Sequence, residues 1–443
     1  MRRLLFIFSF LSLLVVDGKA QEVETLTLED CLRIGIDNNL SLEGKRKEIQ
    51  KSKYGVSENR SKLLPQITAI AGYNNNFDPP VSVTDGSSYG VPYNITKTLQ
   101  HTANAGLEMQ MPLFNQTLYT SMSIAKVMEE ISRLSYGKAR EDIIMQISKM
   151  YYLGQVTAEQ IVLIKANITR LEELRDITQA FFDNGMSMEV DLKRVNINLE
   201  NLKVQYDNAQ AMMKQQLNML KYIMDYPAEK EFVLTPVNTD SITTVALTGL
   251  SENIYELQLS QSQVRLAEKQ KKIISNGYIP SLSLTGSWRY AAYTDKGYHW
   301  FHSGPSNHWF RSYGLGLTLR IPIFDGLDKT YKIKKAMIDI ENSKLAWENA
   351  RKSLQTQYLN AVNDLMNNQR NFKKQKDNYL LAEDVYTVTS DRYREGIASM
   401  TEVLQDEMQM SEAQNNYISA HYNYRVTNLM LLKLTGQIES LVK

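Results

Sequence analysis

The sequence has 443 residues, one cysteine, and 50 Lys+Arg against 49 Asp+Glu, a formal charge of +1. That balance excludes a strongly basic nucleic-acid binder and an acidic solvating tail, and one cysteine excludes a disulfide framework and a four-thiolate zinc site. A mean hydropathy of −0.36 excludes a polytopic helical membrane protein but leaves room for a transmembrane β-barrel, whose strands carry apolar residues only at alternate positions.

In chain order, the first feature is a targeting segment. Met1-Arg2-Arg3 is basic, Leu4 to Val16 is apolar apart from two serines, and Gly18 and Ala20 are small residues placed for cleavage after Ala20. Residues 1–20 are expected to be a secretory signal peptide, because the apolar run is too short to span a bilayer. Gln21 stands where a lipoprotein would need cysteine, so no lipobox is evident.

Four short segments, near 66–76, 100–111, 281–291 and 312–321, alternate in polarity. Residues 102–111 place Ala103, Ala105, Leu107, Met109 and Met111 on one face and Thr102, Asn104, Gly106, Glu108 and Gln110 on the other. Tyr313, Leu315, Leu317, Leu319 and Ile321 repeat the pattern. Strands of about ten residues with one apolar and one polar face suit a membrane barrel wall, lipid outside and water inside, although a half-buried soluble sheet alternates in the same way. Export of the chain, and Tyr-, Trp-, Asn- and Gly-rich loops at 76–99 and 294–311, favour the barrel. Four strands cannot close one, so several chains must contribute.

Between and after these strands lie two stretches without proline, 113–226 and 323–443. Proline costs about 3 kcal/mol inside a helix, so these stretches permit very long helices. Apolar residues recur there at steps of three and four, through Ile161, Ile164, Ile168, Leu171, Leu174, Ile177 and Phe181, the period of amphipathic or coiled-coil helices. A helix from about Thr117 to Phe182 spans on the order of 100 Å. Gly185 and Gly396 mark the expected hairpin turns.

The chain repeats itself. Leu64-Pro65-Gln66-Ile67 matches Ile279-Pro280-Ser281-Leu282, Gly106 to Phe114 matches Gly316 to Phe324, and Gly185 and Asp191 match Gly396 and Glu402. Two repeats follow, 21–230 and 231–443, each helix, strand, loop, strand, long helix, turn, helix. Pro65, Pro112, Pro280 and Pro322 are expected at helix–strand junctions, where a fixed φ and a missing N–H do least harm. Phe232 to Pro236 reads as a short strand in a small belt formed by 222–250 and 434–443.

These motifs together, with the opening Leu26-Thr27-Leu28-Glu29-Asp30-Cys31-Leu32, resemble the TolC family of outer-membrane efflux channels over the whole chain after residue 20. The resemblance implies an α+β membrane protein: a homotrimer whose twelve-stranded transmembrane barrel, four strands per chain, continues as a helical coiled-coil tunnel across the periplasm of a Gram-negative bacterium. It implies a passive exit duct with no cofactor, served by a periplasmic adaptor and an inner-membrane transporter of the RND or ABC type, in contact with outer-membrane lipid and not with nucleic acid. It also places a constriction at the hairpin turns, where Asp191 and Glu402 form acidic rings, Arg194 and Gln405 follow three positions on, and Tyr393 latches to Asp191. Ala398 stands where an arginine can occur. Acidic rings favour cations, while a lone acid there is otherwise a charge complementing a helix N-terminus.

Other readings are weaker. His299, His302 and His308 share a loop with Trp300 and Trp309, which reads as a polar aromatic loop near the membrane surface rather than a metal site. Nineteen scattered methionines read as packing. The glycosylation triplets at Asn94, Asn115 and Asn167 are discarded, two of them lying in or beside long helices. No phosphate-binding glycine loop or catalytic constellation occurs, so enzyme activity is not expected. The competing classes are a non-conducting structural or adhesive envelope protein, which needs no polar-faced strands, and a general porin, which needs no tunnel helices.

Overall fold

The computed structural model describes residues 24–237, 249–294 and 309–442. The expected signal peptide and the three loop histidines lie outside them. The elements run β1 (Glu24–Leu26), α1 (Leu28–Asn38), α2 (Leu40–Ser61), β2 (Gln66–Asn75), β3 (Val81–Asp85), β4 (Tyr93–Lys97), β5 (His101–Phe114), α3 (Gln116–Asp183), α4 (Glu189–Met224), β6 (Phe232–Leu234), α5 (Tyr255–Ser275), β7 (Ser281–Thr294), β8 (Trp309–Arg320), α6 (Asp328–Arg394) and α7 (Met400–Leu434). The chain divides into two compact units.

The first unit gathers the described parts of Met1–Leu40, Glu141–Gly249 and Tyr358–Lys443. α1 opens on a capping box: the Thr27 hydroxyl accepts from the Asp30 N–H at 3.2 Å and the Asp30 carboxylate accepts from the Thr27 N–H at 3.1 Å, satisfying two donors at the helix start. The Thr27 hydroxyl, which donates to the Asp30 carboxylate at 2.6 Å, and then the Thr27 N–H hold the Asp30 carboxyl below its usual range. β1 pairs in parallel with β6. Tyr151 donates to Leu26 O at 3.2 Å and Gln155 to Thr235 O at 2.7 Å, fixing this small belt on α3. Cys31 is fully buried here, and burial pushes its thiol up to about 12, so it is neither nucleophile nor ligand at neutral pH.

The second unit, Ser41–Arg140 with the described parts of Leu250–Gln357, holds the sheet. Strand order is β2-β5-β7-β8, antiparallel throughout. Register sets Thr68, Glu108 and Ser287 in one row and Leu107, Trp288 and Tyr313 in the next, so the alternation seen in the sequence becomes two chemically distinct faces. On the polar face Arg289 and Glu108 form an ion pair at 2.6 Å.

Three details depart from expectation. Pro112 lies inside β5 rather than at its end. The strand runs on to Phe114, and the ladder slips between Pro112 and Phe114, because a central strand admits a residue without an N–H only where the pairing is interrupted. The expected loop at 76–99 contains an antiparallel ribbon, β3–β4. β7 and β8 reach Thr294 and Trp309, into what the sequence suggested was loop. Among the described residues no helix is long and apolar enough to cross a membrane.

Gly106 shows how tightly β5 and β7 approach. A Cβ there would lie 2.4 Å from Trp288 O and 2.9 Å from the Arg289 Cα, both backbone atoms. Gly106→Ala therefore forces the two strands apart, at a cost of about 1–3 kcal/mol. The expected outcome is a lower temperature for loss of the compact, heat-modifiable band on detergent gels; an unchanged transition would contradict the packing.

Candidate functional site at the helix-hairpin tips

Both hairpins of the first unit turn by the same device. The Met186 N–H donates to Phe181 O at 2.7 Å and the Gly185 N–H to Phe182 O at 2.9 Å. In the second hairpin Ile397 donates to Arg392 O at 2.8 Å and Gly396 to Tyr393 O at 2.9 Å. This nested pair satisfies the last carbonyls of a helix and needs a left-handed residue. Gly185 at φ 70° and Gly396 at φ 74° supply it.

The two following helices start differently. Ser399 caps α7: its hydroxyl accepts from the Glu402 N–H at 3.3 Å, and the Glu402 carboxylate accepts from the Ser399 N–H at 3.2 Å. Met188 occupies the equivalent place before α4 and offers no side-chain cap. Asp191 instead pairs with Arg194 at 3.1 Å. The two acids, equivalent in sequence, are thus inequivalent in structure. Glu402 is engaged by its own helix start, whereas Asp191 faces a cation one turn on. Arg194 and Gln405 are exposed.

Tyr393 does not reach Asp191, and the latch expected from the sequence is not made within the chain. The Tyr393 ring is buried against Phe181, with centroids 5.7 Å apart. Its hydroxyl lies 3.3 Å from Thr178 Oγ1. Thr178 already donates to Leu174 O at 2.7 Å, so Tyr393 is the donor. Burial, with the Asp191 charge adding to it, raises the Tyr393 phenol and keeps it protonated. The reason is packing: Tyr393 sits on the stripe of α6 that meets Leu171, Leu174, Val195, Leu199, Val403 and Leu404 from the other three helices.

Sequence reasoning missed a polar seam inside this packing. Asn167 donates to Gln414 Oε1 at 2.7 Å, both buried. Arg170 donates to Asn167 Oδ1 at 3.0 Å and pairs with Glu383. Further along, Tyr417 donates to Glu159 at 2.9 Å, and Arg425 Nε donates to Nε2 of the fully buried His421 at 2.9 Å. An Asn between Ile164 and Ile168 on an apolar stripe was the available signal. Glu407, also missed, is buried in α7 with Oε1 unpartnered. Desolvation pushes its carboxyl up to about 6. Among the described residues no cluster suits a metal ion.

The tips, the sheet and the duplication meet in one family. The chain matches the outer membrane efflux protein model over residues 34–224 and 246–437. It belongs to that family. It is 21% identical over 396 residues to the outer membrane protein TolC of Vibrio cholerae, covering 86% of this chain and 84% of that protein. It is 23% identical over 382 residues to the probable efflux pump outer membrane protein TtgC of Pseudomonas putida, covering 81% and 75%. The solved structure of CusC, a transmembrane channel, superposes with a TM-score of 0.77 at 15% identity over 96% and 95% of the two chains. The fold is thus that of a TolC-family outer membrane efflux channel, with four barrel strands and two long helical hairpins per chain. The protein resides in the outer membrane, and its helices form the periplasmic extension.

Glu407 gives the tip a pH dependence. Its folded carboxyl titrates above the unfolded value of 4.5, so the folded state binds the extra proton and stability falls as pH rises from about 4.5 to about 6. Above that window the deficit is on the order of 2 kcal/mol. Glu407→Gln should stabilise the hairpin core at pH 7.5 and much less at pH 4.5, read by amide exchange in α7. Equal gains at both pH values would show that the charge is not the cause.

Proposed function

We propose that the chain is the passive exit duct of a tripartite efflux or secretion system. The observation supporting this best is the four-stranded sheet, amphipathic across its width and ending in β2 and β8, whose outer edges pair with no strand among the described residues. Such a sheet closes only by joining further copies, and three copies give the twelve strands that the family resemblance implies. Energy then comes from an inner-membrane transporter of the RND or ABC type, coupled through a periplasmic adaptor. The chain itself conducts and is not an enzyme.

In this reading the hairpin tips are the periplasmic constriction, and Asp191 is its principal charge. A ring of Asp191 carboxylates at a narrow mouth attracts cations, and Arg194 partly neutralises it. Glu402 serves first as the N3 partner of Ser399, with Gln405 and Tyr393 as neighbours of the mouth rather than its charge.

Planar-bilayer recording under a salt gradient tests both levels. Discrete conductance is expected, with a cation preference that Asp191→Asn lowers and Arg194→Gln raises. Glu402→Gln is expected to shift selectivity less than Asp191→Asn and to keep the cap, since a glutamine amide oxygen still accepts from the Ser399 N–H, whereas Ser399→Ala, which removes the cap, is expected to destabilise the start of α7 by about 1 kcal/mol. Absence of any conductance from folded protein would favour a structural envelope role. Conductance with a reversal potential indifferent to Asp191→Asn would leave the duct and remove Asp191 from the gate.

Partner capture tests the rest. A cysteine at the exposed Met188, with Cys31 buried and inert, is expected to crosslink an adaptor protein in growing cells. An RND or ABC transporter in the same complex would identify the pump class, and repeated failure to capture any periplasmic partner would sink the tripartite assignment.

A further inference from the structure

Past the end of β2 the hairpin with β5 continues. The Asn76 N–H donates to Gln100 O at 2.8 Å and the Thr98 N–H to Pro80 O at 3.2 Å. The pairing thus bridges Pro79-Pro80 and resumes as β3–β4. Its tip is an ordered turn, in which Asp85 accepts from the Ser87 N–H at 2.9 Å and from its hydroxyl at 3.0 Å. Register puts Val81, Val83, Tyr93 and Ile95 on one face, bounded at its two ends by Asp85 and Lys97, and Ser82, Thr84, Asn94 and Thr96 on the other.

Among the described residues nothing covers this apolar face: its four apolar residues are 53–63% exposed. A two-stranded ribbon is marginal alone in water, and this one turns its β-branched and aromatic side chains outward. The sheet order indicates what covers them. Identical chains related by rotation join a barrel only by setting β2 of one beside β8 of the next. The strands are antiparallel, so Asn75 and Trp309 finish at the same rim. The ribbon therefore rises from the edge nearest the next copy. At that rim the polar-face register carries two large aromatics, Phe310 on β8 and Tyr293 on β7, 57% and 44% exposed with ring centroids 6.2 Å apart.

We propose that the apolar face of β3–β4 packs on Tyr293 and Phe310 of the neighbouring copy, clasping adjacent chains at the outer rim of the barrel. The occupant is a second copy of this chain, and the contact continues the β2–β8 seam beyond the membrane. The clasp rests on assembly from several copies and not on what the duct carries.

The test is a disulfide between copies of the full chain in outer-membrane vesicles. The Val83→Cys, Phe310→Cys double variant is oxidised and run on a non-reducing gel, and Cys31 is buried and stays silent. The expected result is a ladder of covalent oligomers from the double variant and none from either single variant. A double variant that remains single-chain, while lysine-reactive crosslinking still yields the oligomer, overturns the clasp and leaves the barrel standing. A ladder from Val83→Cys alone overturns it too, since the ribbons then meet one another. Labelling of that cysteine by a bilayer-confined maleimide overturns it in favour of lipid. Loss of the oligomer under lysine crosslinking removes both the clasp and the assembly. Independently, Ile95→Asp should lower the temperature at which the oligomer separates into single chains. Unchanged dissociation overturns the proposal.

Discussion

A peptide N–H or C=O left unpaired in hydrocarbon costs several kcal/mol, and that constraint governs this chain. β2 and β8 each present a full row of such groups at the edges of the four-stranded sheet. No rearrangement of four strands removes both edges, so the membrane part cannot be completed by one molecule. The alternation of the strands, the internal repeat that supplies them two at a time, and the ribbon at the outer rim all make sense as parts of a wall finished by identical neighbours.

The repeat is a template that the two halves have used differently. Both hairpins turn through a left-handed glycine with the same pair of backbone hydrogen bonds, because a helix that must reverse has orphaned carbonyls to satisfy whatever its side chains. The next turn is free to vary. The second half spends its acid on a reciprocal cap, Ser399 with Glu402. The first half, with Met188 at the cap, leaves Asp191 to Arg194. Two carboxylates at one repeat position thus carry different electrostatic duties: one is consumed by backbone donors, and the other keeps its field beside the turn.

The strands, the long helices and the turns were legible because each depends on a local rule: a period of two, the absence of proline, a glycine where φ must be positive. Pro112 was misplaced because its effect depends on whether the strand is central, which only the pairing with β7 reveals. The β3–β4 ribbon was hidden by its short strands and by Pro79-Pro80, which read as loop. Tyr393 was assigned by likeness to a partner on the neighbouring turn, but its side chain follows the packing stripe inward to Thr178. Asn167 looked like a glycosylation triplet, and its burial opposite Gln414 requires a contact 247 residues away in the chain. What sequence patterns miss here is whatever depends on which helix lies across from which.

That seam explains why α3 meets α6 and α7 in one alignment. Leucines and methionines alone tolerate sliding, since one apolar contact replaces another at little cost. Asn167 and Gln414 do not. A slip of one turn leaves both buried amides without partners, costing about 1–3 kcal/mol for each unsatisfied group, and strands the Arg170–Glu383 charges in a partly buried site. The paired amides add little net stability when correctly aligned, but they make the misaligned state expensive, as a polar residue in a coiled-coil core does. Alignment of the first hairpin with the second is therefore fixed by polar residues that a ranking by hydrophobic burial would pass over, and the turns at Gly185 and Gly396 inherit their relative height from it.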